Sequence, residues 1–189
     1  VQEALRTYRL QPGYFLYVSR IEHPAKNHRR LLEAYARLRH RRPTAPPLIL
    51  AGRDHHHADV VHRRAEAPDL RPHVHFLGFV AEEHLPGLYA RARALVFPSL
   101  AEGFGVPLLN AMAVGCPVLC SDRPPMSEVV ADAALRFDPE DPDDLVRAME
   151  QLLDEPERVA QLVARGRERA REHPWAATAQ ALWRLVARS

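Results

Sequence analysis

Lysine is almost missing from this sequence of 189 residues. Lys26 stands alone, and every other member of its 26 Lys and Arg residues is arginine. Cysteine is nearly as scarce, with only Cys116 and Cys120. Two thiols without histidine ligands beside them leave no basis for a disulfide framework or a thiolate metal site. They lie four apart around an apolar, strand-like stretch, so both are expected on one face of a strand as buried free thiols. A cytoplasmic setting fits reduced thiols. No apolar run approaches the ~20 residues that span a bilayer, and no signal peptide opens the chain. Net charge is only +2, with bases interspersed among 24 acids, which argues against a nucleic-acid partner. Methionine is lacking at the first position, Val1, and the chain is expected to be a piece of a longer protein.

The composition that remains, 47% hydrophobic and 26% charged, is that of a globular protein with one well-buried core. Short apolar runs at Tyr14–Ser19, Pro47–Ala51, Val74–Leu77, Ala94–Pro98, Pro117–Ser121 and Ala134–Phe137 read as strands covered on both faces. Helical patterns fall between them, at Asn27–Arg41, Ala58–Ala67, Glu82–Arg91, Gly105–Val114 and Met126–Ala131. In the first, Leu31, Leu32, Tyr35 and Leu38 recur on one face. Repeated strand–helix alternation predicts an α/β fold: a Rossmann-like, doubly wound parallel sheet of about six strands with helices on both faces. After an acidic turn at Asp138–Asp144 the pattern becomes a helical C-terminal tail: Leu145–Leu153, Pro156–Arg171 and Pro174–Ala187. The whole chain reads as one domain, with a core over about 1–140 and C-terminal helices over 141–189.

Ligands of such sheets bind outside the carboxyl ends of the strands, so the loops after Ser19, Ala51, Leu77, Pro98 and Ser121 are the places to look. The first loop puts Arg20 at a strand end and Lys26 just before a helix, with Asn27 a candidate N-cap. Two cations beside a helix N-terminus suit a diphosphate, although a solvated basic loop would look the same. The lone lysine has two readings of equal weight, chance or a need for a compact ammonium. The second loop runs from Pro98-Ser99 through Glu102-Gly103-Phe104-Gly105 to a helix opening near Val106-Pro107. Proline in a first turn costs little, and the glycines allow close backbone approach to a ligand. Glu102 would repel phosphate, so unless it caps the helix it should face something else, such as sugar hydroxyls.

These residues together resemble the C-terminal, donor-binding domain of the family-4 retaining glycosyltransferases of the GT-B fold. The resemblance runs from about Gln11 to Asp144, and more loosely to the C-terminus. It rests on the ordered stretches Tyr14 to Arg20 with Lys26-Asn27, Phe76 to Val80 with Leu85 and Leu88-Tyr89, and Ala94 to Ser99. Glu102 to Leu108, Ala111 to Ala113, Gly115 to Val118, Glu128-Val129 and Asp138-Pro139 continue it. It implies transfer of a hexosyl unit, with retention, from a UDP-, GDP- or ADP-linked sugar to an acceptor hydroxyl. It further implies that Arg20 and Lys26 grip the donor diphosphate, which favours a functional lysine over chance. Glu102, as the first acid of the family's E-x7-E motif, would sit near the donor sugar. Ser19 and the backbone of Phe104, Gly105, Val106 and Pro107 would line the phosphate and sugar, and Val80 would read the base. Neither cofactor nor metal is implied. The resemblance also implies an acceptor domain preceding this one, expected to lie outside the given sequence, and any peripheral membrane association is expected to come through it.

Two positions depart from the family's pattern. Asn110 stands where the second acid of E-x7-E is expected to bond ribose hydroxyls, and a neutral amide does so more weakly. Ser19 replaces a glycine before Arg20. A non-catalytic nucleotide-sugar-binding module therefore stays open as the alternative to an enzyme. A nicotinamide-dependent Rossmann enzyme is disfavoured, because no Gly-x-Gly-x-x-Gly follows the first strand. The piece alone is expected to bind donor weakly and transfer nothing. Elsewhere, His55-His56-His57 reads as an exposed polar loop and Asp141 to Asp144 as helix-capping acids. The arginines of 158–171 read as a solvated face. Trp175, Leu182 and Val186 form an apolar stripe whose default reading is core.

Overall fold

A computed structural model of the chain describes residues 2–173. The helix expected at 174–187, with its apolar stripe, lies outside the described residues. Six strands form one all-parallel sheet: β1 (Tyr14–Val18), β2 (Leu48–Ala51), β3 (Val74–Gly78), β4 (Ala92–Phe97), β5 (Val118–Ser121) and β6 (Leu135–Phe137). Their order is β3-β2-β1-β4-β5-β6. β2 and β5 are buried along their whole length, and β1 along all but its last residue. That burial is why these runs carry no polar alternation.

The sheet reverses its direction of growth beside β1. Phe15 pairs with Leu48 of β2 on one side and with Ala94 of β4 on the other. The chain grows outward from β1 to β3, then crosses back to lay β4 against β1. A crevice opens at the carboxyl ends of strands where the order reverses in this way. Here the loops after β1 and β4 flank it.

Eight helices accompany the sheet among the described residues. They are α1 (Gln2–Thr7), α2 (His28–Arg41), α3 (Ala58–Ala65), α4 (Leu85–Arg91), α5 (Val106–Val114), α6 (Met126–Val130), α7 (Pro142–Asp154) and α8 (Pro156–Glu172). On α2 the predicted stripe of Leu31, Leu32, Tyr35 and Leu38 is fully buried, each side chain contributing roughly 1.5–3 kcal/mol of transfer free energy. The expected helix at 82–91 is divided into a 3-10 turn, Glu82–His84, and α4, with Pro86 in the first turn of α4 where its missing N–H costs nothing. α7 starts at Pro142, earlier than expected, because the Asp141 carboxylate accepts the Asp143 N–H at 2.9 Å. The capping reading of these acids holds. α1 was not foreseen; it has six residues and buries only Ala4, too little pattern to read.

Two expectations need correction. Asn27 occupies the position before α2, but its side chain does not cap the helix. Its backbone is left-handed, and its buried Nδ2 donates instead to the carbonyls of Pro98 (3.1 Å) and Pro139 (2.7 Å). Cys116 is not in a strand, because β5 starts only after Pro117, so the shared-face argument for the thiols fails. Both are nevertheless free and buried, and burial pushes each thiol up to about 12.

Candidate functional site

The loops after β1 and β4 are sewn together across the crevice. Leu100 N–H donates to the Ala25 carbonyl at 2.9 Å, and Asn27 bonds the Pro98 carbonyl from the same side. Between these two ties, Lys26 Nζ donates to Glu102 Oε1 at 2.7 Å, with side chains only 8% and 13% exposed. The lone lysine is therefore a largely buried ammonium with a carboxylate partner. Such a pair persists in low dielectric only when each charge is compensated by the other. One of the three ammonium donors is committed to Glu102, which leaves two for a ligand. Glu102 is not a helix cap: α5 has no side-chain cap, and Gly105 precedes it in the left-handed region at φ 98°. Its Oε1 is the one on Lys26, and Oε2 has no ion-pair partner among the described residues.

Arg20 sits at the carboxyl end of β1, its side chain 58% exposed and its carbonyl accepting the Tyr17 hydroxyl at 3.1 Å. The guanidinium Nε is 3.6 Å from Glu22 Oε2, and His55 Nδ1 is 3.5 Å from the same oxygen. The histidine triplet thus supplies one exposed neighbour to Glu22. Among the described residues no group of three or more His, Cys, Asp or Glu is placed to hold a metal ion. His28 supports the loop from beneath. It is fully buried, its Nδ1 lies 2.9 Å from the Glu22 carbonyl oxygen, and its ring meets Tyr17 edge-on at 4.4 Å. Burial pulls its pKa down to about 4, so the ring is neutral.

Beside Arg20 lies a hollow of about 390 Å³ that includes Ser19, Gly52, Arg53, Phe79 and Val80 in its lining. Gly52 makes it possible. A Cβ at this position would lie 1.7 Å from the Ser19 carbonyl oxygen, so only glycine lets β2 turn away beneath the β1 loop. Phe79 is 59% exposed, and the Arg53 guanidinium stands 4.2 Å over its ring. Val80 is buried. Phe104 is exposed on the other loop, its ring 6.3 Å from His173. Gly105, Val106 and Pro107 open α5, where Pro107 has no N–H and the Leu108 N–H donates to the Gly105 carbonyl at 2.9 Å. Asn110, one turn on, lines a second hollow between α4 and α5.

The structure brings Lys26 and Glu102 into contact and places Arg20, Ser19 and Val80 around one hollow. Asn110 and Val106 line the other, while Phe104, Gly105 and Pro107 line neither. Sequence reasoning missed Gly52, Arg53 and Glu82 in these linings, and His28 beneath them. A glycine directly after the apolar run 48–51 was a visible signal for Gly52. The others carry no pattern of their own.

The sequence profile of the glycosyl transferases group 1 family matches residues 7–169. The chain belongs to that family. Among glycosyl transferases with similar sequences, the O-antigen chain mannosyltransferase B of Escherichia coli is 40% identical over 163 residues, which are 86% of this chain and 42% of that protein. The phosphatidyl-myo-inositol mannosyltransferase of Mycolicibacterium smegmatis is 32% identical over 173 residues, 90% of this chain and 44% of that protein. The chain thus spans less than half the length of these relatives. A solved sucrose-phosphate synthase from Thermosynechococcus elongatus superposes with a TM-score of 0.85 at 27% identity, over all of this chain and 50% of its own. Anabaena HepE, solved in complex with UDP-glucose, shares the fold with a TM-score of 0.85 at 20% identity, over 100% of this chain and 53% of its own. Among the described residues, no helix of this glycosyl transferase domain is long and apolar enough to cross a membrane.

Proposed function

We propose that this domain binds a nucleoside-diphosphate sugar across the β1/β4 crevice and serves as the donor half of a retaining sugar transferase. The mannosyltransferase relatives favour a mannosyl unit. The acceptor, whose hydroxyl receives the sugar, would be held by a further domain. The observation that carries this reading is the Lys26–Glu102 pair at the switch point, with Arg20 on the adjoining strand end.

In the transfer, the bond between the anomeric carbon and the diphosphate oxygen breaks. The acceptor oxygen bonds that carbon on the same face, and its proton leaves with the diphosphate. Negative charge accumulates on the departing oxygens. Cations already fixed in place stabilise that charge with little reorganisation. Glu102 holds the Lys26 ammonium in position while its remaining N–H groups meet the diphosphate, and Arg20 supplies a second charge from a more exposed site. These two residues do what a metal does elsewhere, so the reading requires no metal and no other cofactor. Phe79, with Arg53 stacked on it, offers a flat surface for the base beside Val80.

Calorimetric titration of the chain with UDP, GDP and ADP in parallel, with and without chelator, tests this. One nucleotide should bind, unaffected by chelator, and binding should weaken at least tenfold in Lys26→Arg, because the planar fork cannot replace a compact ammonium against Glu102. No binding at millimolar nucleotide would overturn the donor-site reading and leave a family fold whose crevice is unused.

A further inference from the structure

The loops after β1, β4 and β6 meet on one buried side chain, Asn27. Its Nδ2 donates to the Pro98 carbonyl at 3.1 Å and to the Pro139 carbonyl at 2.7 Å, and its Oδ1 accepts from Arg30 Nη1 at 3.2 Å. Both carbonyls lie past the last paired residues of β4 and β6, Phe97 and Phe137, so the ladder of the sheet does not reach them. A side-chain amide has two N–H donors, and here both are spent on these acceptors. An oxygen turned toward the same carbonyls would repel them, and Arg30 needs an acceptor on the other side. The amide is therefore oriented from both ends.

The backbone narrows the choice of residue further. Asn27 sits in the left-handed region at φ 58° and ψ 27°, which Gly, Asn and Asp enter at least cost. Glycine has no amide to bridge the loops, and aspartate would turn a carboxylate oxygen on two carbonyls. Asparagine meets both demands.

What the bridge holds is Lys26. Of its two chain neighbours, Ala25 accepts the Leu100 N–H and Asn27 bonds Pro98. Leu100 and Pro98 lie two and four residues before Glu102. The lysine backbone is thus clamped on either side to the segment that carries its carboxylate partner, 2.7 Å from Nζ. Pro139 ties the same amide to a loop that is itself pinned: the Asp138 N–H donates to the Asp144 carboxylate at 2.7 Å, and Arg123 pairs with Glu140 at 2.9 Å.

We infer that Asn27 is the positioning residue of the Lys26 ammonium; the consequence for nucleotide binding rests on the donor-site reading above. A long, flexible lysine side chain keeps one geometry only when its own backbone and its partner are fixed in a common frame. The Asn27 amide supplies that frame by locking the β1 loop to the β4 loop, with the β6 loop as a third support.

The chain has one lysine, so lysine carrying a heavy nitrogen isotope at Nζ gives a single ammonium signal by NMR, that of Lys26. The signal is compared in wild type, Asn27→Gly, Asn27→Asp, Glu102→Ala and Leu70→Ala, each at a temperature where circular dichroism shows it folded. Asn27→Gly keeps the left-handed backbone without the amide, and Asn27→Asp keeps the shape without the donors. Glu102→Ala marks the broken pair. Leu70, buried ahead of β3 at the opposite end of the sheet, controls for lost stability alone. Both Asn27 variants should move the ammonium signal toward its position in Glu102→Ala. Both should also lose about tenfold in calorimetric affinity for whichever of UDP, GDP and ADP binds wild type, the scale of one charge-assisted hydrogen bond. Leu70→Ala should change neither. A signal that stays in place in the Asn27 variants, or that Leu70→Ala moves as far, would reduce Asn27 to a support of the fold and overturn the inference, whether or not a nucleotide binds. If the signal moves as expected while nucleotide affinity is unchanged or absent, the donor reading falls and the positioning of Lys26 by Asn27 stands.

Discussion

Replacing Lys26 by alanine removes the cation that faces Glu102 and leaves its carboxylate, 13% exposed, at the floor of the crevice. Breaking a buried pair by deleting one partner costs about 3–5 kcal/mol, because the survivor keeps its desolvation penalty without its compensation. Glu102 keeps 13% exposure and can regain some water by rotating, so the lower end applies, about 3 kcal/mol. In a domain of this size each kcal/mol moves the midpoint by roughly 2–4 °C, so thermal unfolding should shift down by about 6–12 °C. Glu102→Ala strands the ammonium in the same way and should cost a similar amount. Lys26→Ala with Glu102→Ala removes both charges together, so its loss should fall short of the summed single losses by about 2 kcal/mol. Urea unfolding of the four proteins, followed by circular dichroism, measures this coupling directly. Additive losses, or single variants within about 0.5 kcal/mol of wild type, would refute the claim that the two side chains form one compensated pair.

Gly52→Ala should destabilise by several kcal/mol, since its Cβ would meet the Ser19 carbonyl oxygen at 1.7 Å, a backbone atom that cannot move without shifting Arg20. A midpoint within a degree or two of wild type would contradict this. The second prediction concerns pH. The pKa of His28 is held down at about 4 in the fold, against about 6.5 unfolded. The unfolded chain therefore binds the extra proton first as pH falls. The stability contributed by His28 is complete above pH 6.5 and is lost progressively down to about 4. The loss approaches 1.4 kcal/mol per pH unit, about 3 kcal/mol in all. His28→Gln should flatten that segment of the stability–pH curve, and parallel curves for variant and wild type would show that His28 is not the group responsible.

Much of the architecture was legible because a doubly wound sheet leaves a strong pattern. Strands buried on both faces read as unbroken apolar runs, and the α2 stripe announced its packed face. All six strands fall within two residues of the expected bounds. The charged residues of the proposed site drew notice for a different reason: Lys26 is alone of its kind, and Glu102 sits in a glycine-containing loop before a helix. What the sequence could not show was partnership. Lys26 and Glu102 are 76 positions apart, and only the reversal of strand order between β1 and β4 brings their loops together. For the same reason Asn27 misled. Its residue type favours capping, but a left-handed backbone turns its amide toward the carbonyls of Pro98 and Pro139, which tertiary structure delivers.

The account stands most directly on where a nucleotide sits, which a crystal structure of the chain with its preferred nucleoside diphosphate would show. The expected result places diphosphate oxygens within hydrogen-bond distance of Lys26 Nζ and the Arg20 guanidinium, Glu102 still against the lysine, and the base beside Phe79. A nucleotide bound away from the β1/β4 crevice, or held there without Lys26, would contradict the donor-site claim.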